Sequence, residues 1–410
     1  MQTRLAPSFK DTPAGDEAEA ILRKCVHCGF CTATCPTYQV LGDELDGPRG
    51  RIYLMKQVLE GHAPSRATQI HLDRCLTCRN CETTCPSGVD YGHLVEIGRK
   101  LVDERVPRPA GERAARWLLK EGLTSPLFAP AMKVGQALRP LLPRALKAKV
   151  PPSPGAAAHR WPTGTHERAV LLLAGCVQPA MMPNINSATA RVLDAAGIQT
   201  LVAPDAGCCG AIRLHLNDHA GAFDHMRRNI DAWWPMVESG QVEAIVMNAS
   251  GCGATVKDYG HALSGDPAYA DKARRIAGLT KDLAELLPEL VPRLAAKLRP
   301  RATPRLAFHP PCSLQHGQKV RGVVERELAA LGLEVKVATT ESHLCCGSAG
   351  TYSVLQPAMA TTLRDRKLSH LVPLEPEVIV SANVGCIQHL QSGTDLPVRH
   401  WVEVVDEMLG

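Results

Sequence analysis

Eight cysteines between residues 25 and 85 constrain this chain more than any other feature. They fall in two runs, C-V-H-C-G-F-C-T-A-T-C-P from Cys25 and C-L-T-C-R-N-C-E-T-T-C-P from Cys75. Each run has the spacing C-x2-C-x2-C-x3-C-P, which ligates [4Fe–4S] clusters in pairs. Three closely spaced thiolates wrap one face of a cubane. The fourth cannot close the same cube and reaches the other cluster. The expected ligand sets are therefore Cys25, Cys28, Cys31 and Cys85 for one cluster, and Cys75, Cys78, Cys81 and Cys35 for the second. Pro36 and Pro86 end the two loops by fixing φ and withholding a donor. Zinc is the plainer reading of paired cysteines, but it takes four ligands in all, usually as two separated pairs. Two four-cysteine runs, each closed by Pro, fit zinc poorly.

The surroundings of these runs read as helical. A helix is expected from about Glu17, after a loose polar arm over residues 1–16. Between the runs, R-I-Y-L-M-K-Q-V-L-E ends at Glu60 with apolar residues at helical spacing, and residues 67–73 suit a second short helix. A further helix over residues 89–105 is closed by Pro107 and Pro109. The 39 residues between the runs exceed a compact bacterial ferredoxin hairpin and imply a helical ferredoxin module. Arg49 and Arg51 either begin a solvated helix or offset an anionic cluster and tune its potential.

Residues 122–166 contain no Asp or Glu but carry Lys133, Arg139, Arg144, Lys147, Lys149 and Arg160. One reading is a basic amphipathic contact with an anionic membrane surface. The other is a helical packing arm, since internal prolines break any long helix. The stretch V-P-P-S-P-G-A-A-A-H-R-W-P-T-G is a linker by composition.

Beyond it the chain repeats itself. Apolar runs R-A-V-L-L-L-A-G-C and P-R-L-A-F-H-P-P-C deliver Cys176 and Cys312. A helix, a short strand and the pair C-C-G follow in both copies, giving Cys208–Cys209–Gly210 and Cys345–Cys346–Gly347. A third strand then delivers Cys252 and Cys386. The matching cysteines are offset by 136, 137, 137 and 134 residues. Strand–helix alternation makes each copy an α/β layer, with thiols at the strand ends where open sheets place their sites. Gly210 and Gly347 suit a tight turn behind each pair. Each copy gathers four cysteines, as a further metal centre, a redox thiol site or inert buried cysteine. The second copy also has His309, His316, His343 and His389 nearby, so Cys312, Cys345, Cys346 and Cys386 are the candidate ligands of a third centre.

With 410 residues the chain has room for two or three domains, and its net charge of +5 does not mark a nucleic-acid binder. No helix-turn-helix signal accompanies the basic stretch, which argues against an iron–sulfur DNA-binding sensor. Sixteen cysteines at metal-ligand spacings fit a reducing, cytoplasmic location. The N-terminus lacks the apolar core of a signal peptide, and no run reaches the ~18 apolar residues of a membrane helix. No G-x-G-x-x-G stands at a strand–helix junction and no nucleophile–base pair stands out, so no catalytic, flavin-binding or nucleotide-binding residue is assigned.

These segments, with G-D-E-L-D-G-P-R-G-R-I-Y-L, N-I-D-A-W-W-P, S-H-L-C-C-G-S-A-G-T-Y and V-R-H-W, resemble the iron–sulfur subunits of bacterial glycolate oxidase over nearly the full length. The chain is also similar to the iron–sulfur subunits of anaerobic glycerol-3-phosphate dehydrogenase, lactate-utilisation systems and heterodisulfide reductases, which are the alternative readings. The fuller C-C-G pattern ends in C-x2-C, but Thr255 and His389 stand in the last places here. The five-thiolate cluster of some relatives therefore lacks a sulfur.

The resemblance implies an electron-transfer subunit with two [4Fe–4S] clusters. FAD would sit on a partner subunit that oxidises glycolate to glyoxylate, and single electrons would pass toward quinone or another acceptor. The basic stretch leaves room for peripheral association with the inner face of the cell membrane. The expected fold is α+β and multidomain. A helical di-cluster ferredoxin domain spans 17–110, a helical basic arm and linker 111–167, and two cysteine-rich C-C-G repeats 168–298 and 302–410.

Overall fold

A computed structural model describes residues 1–143, 147, 149–299 and 302–410. Arg144, one of the basic residues of the arm, lies outside the described residues.

The N-terminal unit is helical. Thr12 caps the helix Pro13–Lys24 by accepting from the Gly15 N–H at 3.1 Å, a cap worth about 1 kcal/mol. The helix thus begins four residues before the expected start. The preceding residues are not a loose arm either. The terminal ammonium donates to the Cys25 carbonyl at 2.8 Å, and Phe9 is buried with Ile52 and Met55. Their polar average concealed one anchoring ring. Helices Pro48–Leu59, Arg66–Asp73 and Tyr91–Arg105 form where helical spacing placed them. They pack Met55, Leu59, Leu72 and Leu94 into one core.

Each half of the remainder holds a four-stranded parallel sheet. The first comprises β1 (Arg168–Leu172), β2 (Ile198–Leu201), β3 (Ala244–Met247) and β4 (Thr280–Asp282), in the order β2-β1-β3-β4. The second comprises β5 (Leu306–His309), β6 (Val335–Val337), β7 (Val378–Ser381) and β8 (Val398–His400), in the order β6-β5-β7-β8. β3, β5 and β7 are buried at every position, as parallel strands covered on both faces must be. Along β1 the side chains alternate. Val170 and Leu172 join a core with Ile185 and Leu287, while Leu171 joins Trp233 and Ile276 on the other face.

The two copies clasp each other reciprocally. Helix Pro183–Ala195 of the first packs on Trp401–Leu409 of the second, and Leu283–Ala295 of the first packs on Val323–Ala330 of the second. Arg191 binds Asp406 across this seam at 2.6 and 2.8 Å. The clasp brings the carboxyl ends of β3 and β7 together, where the Ser250 N–H donates to the Ala382 carbonyl at 3.0 Å.

The helices Ala110–Thr124 and Phe128–Ala137 form a broken pair. Their inner residues Leu119, Leu123, Phe128 and Met132 border a central cavity. Trp117, Leu118, Leu127, Val134, Leu138 and Leu141 face outward and are exposed. No helix among the described residues is long and apolar enough to cross a membrane.

Candidate functional site

The two N-terminal cysteine runs share one backbone design. In the first, His27 and Gly29 have φ of 55° and 85°; in the second, Thr77 and Arg79 have φ of 52° and 57°. The residues on either side of the middle cysteine are thus left-handed in both runs. Three of the four are not glycine, and each such residue costs of order 1–3 kcal/mol unless the surroundings demand it. Alternating hands turn successive N–H groups inward, a cradle for an anionic centre. The Thr77 N–H lies 3.4 Å from Cys75 Sγ.

The thiols gather across the runs. Cys25, Cys28, Cys31 and Cys85 border one hollow, which Cys81 also touches. Cys35, Cys75, Cys78 and Cys81 border another. Burial, with Cys25 and Cys85 close by, pushes the Cys31 thiol up to about 11. Burial and neighbouring thiols, Cys312, Cys35 and Cys75 among them, raise Cys78 well above its ordinary value. Thiols this crowded ionise together only around a positive centre, which an iron core supplies; the donor set fits such a group.

Cations stand behind the second hollow. Arg51 is 1% exposed and donates to Thr37 Oγ1 at 3.2 Å and to the His71 carbonyl at 2.7 Å. Its other partner is Asp46 at 3.4 Å, which Arg74 also binds at 2.8 Å. Arg99, from the helix Tyr91–Arg105, holds the Leu72 carbonyl at 2.8 Å. Burial alone would raise the Cys75 thiol, but the charges of Arg51 and Arg99 outweigh it and hold Cys75 below the usual range. Tyr91 donates to Cys75 Sγ at 3.7 Å. Arg51 is therefore no solvated helix start. Arg49, more exposed, binds Glu44 at 2.6 Å.

The second loop docks on the second copy of the repeat. Asn80 donates to the His343 carbonyl at 3.3 Å, and Tyr352 donates to the Arg74 carbonyl at 3.0 Å. Leu76 and Cys78 pack with Cys312 and Cys345. The eight repeat cysteines lie at the carboxyl ends of β1, β3, β5 and β7 or in the C-C-G loops between. Seven of them border a cavity of about 910 Å³ enclosed by both copies, the arm and the second N-terminal loop.

In the first copy Cys208 accepts from Cys176 and Cys209, which holds its thiol far below the ordinary value, with His225 assisting. In the second, Cys312 and Cys345 lie 3.7 Å apart, and Cys346 stands beside Cys345 and Cys386. Gly210 and Gly347 carry φ of 95° and 88° behind the pairs, as the turn requires.

The four histidines singled out in the second copy part company. His316 binds Thr83 at 3.1 Å and the His343 carbonyl at 2.8 Å. His389, in the place of the missing cysteine, binds the Ala360 carbonyl at 3.0 Å. Only His309 stands with Cys346 and Cys386, the three donor atoms within 4.8 Å of one another. Arg99, Tyr91 and Lys367 were not singled out from the sequence. They border the cysteines through tertiary packing, and helical spacing alone hides that.

Comparison with known proteins follows the same division. The 4Fe-4S dicluster domain matches residues 21–89, and the cysteine-rich domain matches residues 170–257 and 306–391. The glycolate oxidase iron-sulfur subunit of Escherichia coli is 53% identical over the whole chain and 99% of its own length. The chain belongs to the glycolate oxidase iron–sulfur subunit family. A Bacillus subtilis protein named as a probable member is 31% identical over 93% of the chain and 90% of its own length. Lactate utilization protein A of Geobacillus thermodenitrificans is 26% identical, over 58% of the chain. In this family member an N-terminal dicluster domain precedes two cysteine-rich domains, in an α+β architecture of helices and parallel sheets.

Proposed function

We propose that this chain carries electrons, one at a time, within a glycolate-oxidising complex whose FAD lies on a partner subunit. Cys25, Cys28, Cys31 and Cys85 would hold one [4Fe–4S] cluster, and Cys75, Cys78, Cys81 and Cys35 the other. A bound cluster of this kind supplies a one-electron carrier whose potential answers to charge and hydrogen bonds around its sulfurs. The protein's part is to hold eight thiolates, set Arg51 and Arg99 behind Cys75, and keep water away. The observation that carries the reading is the crossing of the two runs. Cys85 shares the first run's hollow and Cys35 shares the second's.

The N-terminal clusters, the cysteines of the second repeat and the cavity lie in sequence. Cys78 packs against Cys312 and Cys345. A third centre on Cys312, Cys345, Cys346 and Cys386 extends the line into the cavity. Quinone or another acceptor would take the electrons beyond it. The outward apolar face of the arm, with Lys133 and Arg139, suits peripheral contact with an anionic membrane surface. Full-length identity to a glycolate oxidase subunit supports glycolate over lactate, whose relative matches 58% of the chain. The domains at 17–110, 111–167, 168–298 and 302–410 are part of the same reading.

Cys85→Ser tests the crossing. Iron analysis and electron paramagnetic resonance on anaerobic protein should show damage to the cluster of Cys25, Cys28 and Cys31. Damage confined to the cluster of Cys75, Cys78 and Cys81 would contradict it.

A further inference from the structure

His309 ends β5, three residues before Cys312. Its ring is fully buried, and neither Nδ1 nor Nε2 has a hydrogen-bond partner. An imidazole with two unpaired buried nitrogens costs several kcal/mol as a core residue, which makes it a candidate ligand. Its backbone is pinned by Ser381, whose hydroxyl donates to the His309 carbonyl at 2.9 Å. One ring nitrogen lies within 4.8 Å of the sulfurs of Cys346 and Cys386, and all three residues are buried.

A second feature points to the same place. Lys367 is 3% exposed and forms no carboxylate ion pair among the described residues; its ammonium donates to the carbonyls of Glu341 and Ser342. The acidic groups around it are the Cys346, Cys345 and Cys312 thiols and the Glu341 carboxylate. Arg366 and His370 already share that carboxylate, so thiolates on a metal would supply the anionic neighbour that a buried cation needs.

The first copy has no histidine at the matching place. Leu173, packed against Trp233, occupies the position matching His309. His225, beside Cys208, has its Nε2 taken by Arg213 at 3.1 Å.

We propose that the second repeat binds an iron centre of mixed ligation, with His309 as the nitrogen ligand beside Cys346 and Cys386 and with Cys312 and Cys345 completing the site. This rests on the electron-carrier reading and adds a ligand to its third centre. A neutral imidazole in place of a thiolate removes one negative charge and raises the potential, as histidine ligation does in Rieske centres. That makes the site a sink for electrons arriving from the neighbouring cluster.

The test uses the anaerobically purified full-length chain with its partner subunits, labelled with 15N-histidine. Pulsed paramagnetic resonance should find strong coupling from one directly bound histidine nitrogen. His309→Leu, which installs the first copy's residue, should abolish that coupling and release only this centre's iron. His309→Cys should keep the iron, lose the coupling and lower the midpoint potential. Coupling that persists in His309→Leu, only the weak coupling of a hydrogen-bonded imidazole, or zinc in place of iron would overturn the proposal. Signals of the two N-terminal clusters in the same sample separate the failures. If they are intact with no nitrogen coupling, only His309 is wrong; if they are absent, the carrier reading falls.

Discussion

Arg51 sits where an ordinary surface arginine would be wasted. Its guanidinium is out of water, between Asp46 and the thiols of Cys35 and Cys75. Desolvating such a group is tolerable only if the negative charge around it is permanent. Ligated thiolates are permanent in that sense, because metal binding keeps them deprotonated. Arg51→Leu removes the cation and leaves Asp46 buried with Arg74. The expected loss is about 3–5 kcal/mol, as for breaking a buried pair, read by chemical denaturation of anaerobic protein. A loss below about 0.5 kcal/mol, typical of an exposed site, would return Arg51 to the role of helix start.

Among the elements, the C-C-G loops are the most demanding. A methyl group on Gly347 would lie 2.5 Å from the Ala360 carbonyl, against 3.0 Å from the Ala222 carbonyl at Gly210, and both positions are left-handed. Gly347→Ala should therefore cost more than Gly210→Ala, the former exceeding about 1–3 kcal/mol of backbone strain. Equal thermal shifts in the two variants would contradict that ranking.

These loops also mark how far the sequence can be read. Cysteine spacing, the repeat offset and the long apolar strands are local patterns, and they foretold the helices around the runs and six of the eight strands. β4 and β8 escaped because no cysteine marks them: both lie beyond the last cysteine of their copy, whereas β6, equally short and with Lys336 at its centre, is placed by the C-C-G pair that follows it. The packed N-terminus escaped because one ring, Phe9, anchors an otherwise polar segment. At the site, the eight N-terminal thiols announced themselves by spacing. The isolation of His309 from hydrogen bonds could not be read, since it depends on which neighbours fail to arrive.

For the whole molecule, the docking of the N-terminal unit on the first repeat makes stability depend on pH. His93 binds Asp258 at 3.0 Å and stacks on His261 with ring centroids 3.7 Å apart. Glu96, one turn further on, is pushed up to about 7 by burial and by the charge of Asp258, against the cations of His93, Arg79 and Arg99. An unfolded glutamate titrates near 4.3. Between these values the unfolded chain binds fewer protons than the folded one, so stability falls as pH rises. His93 acts in the same direction. Burial opposes its charge, Asp258 outweighs burial, and the stability gained is lost as pH rises through its raised value. Glu96→Gln should flatten the denaturation midpoint between about pH 5 and pH 8 and stabilise the protein at the upper end. An unchanged slope would place the pH dependence elsewhere.

On the proposed reading, eight crossed thiolates make this chain a carrier of single electrons drawn from glycolate. The direct measurement is anaerobic paramagnetic resonance of the purified complex before and after glycolate is added. Signals of reduced [4Fe–4S] clusters should appear with glycolate and disappear in the cysteine variants. Clusters that stay oxidised under glycolate, or zinc on those sulfurs in place of iron, would contradict it.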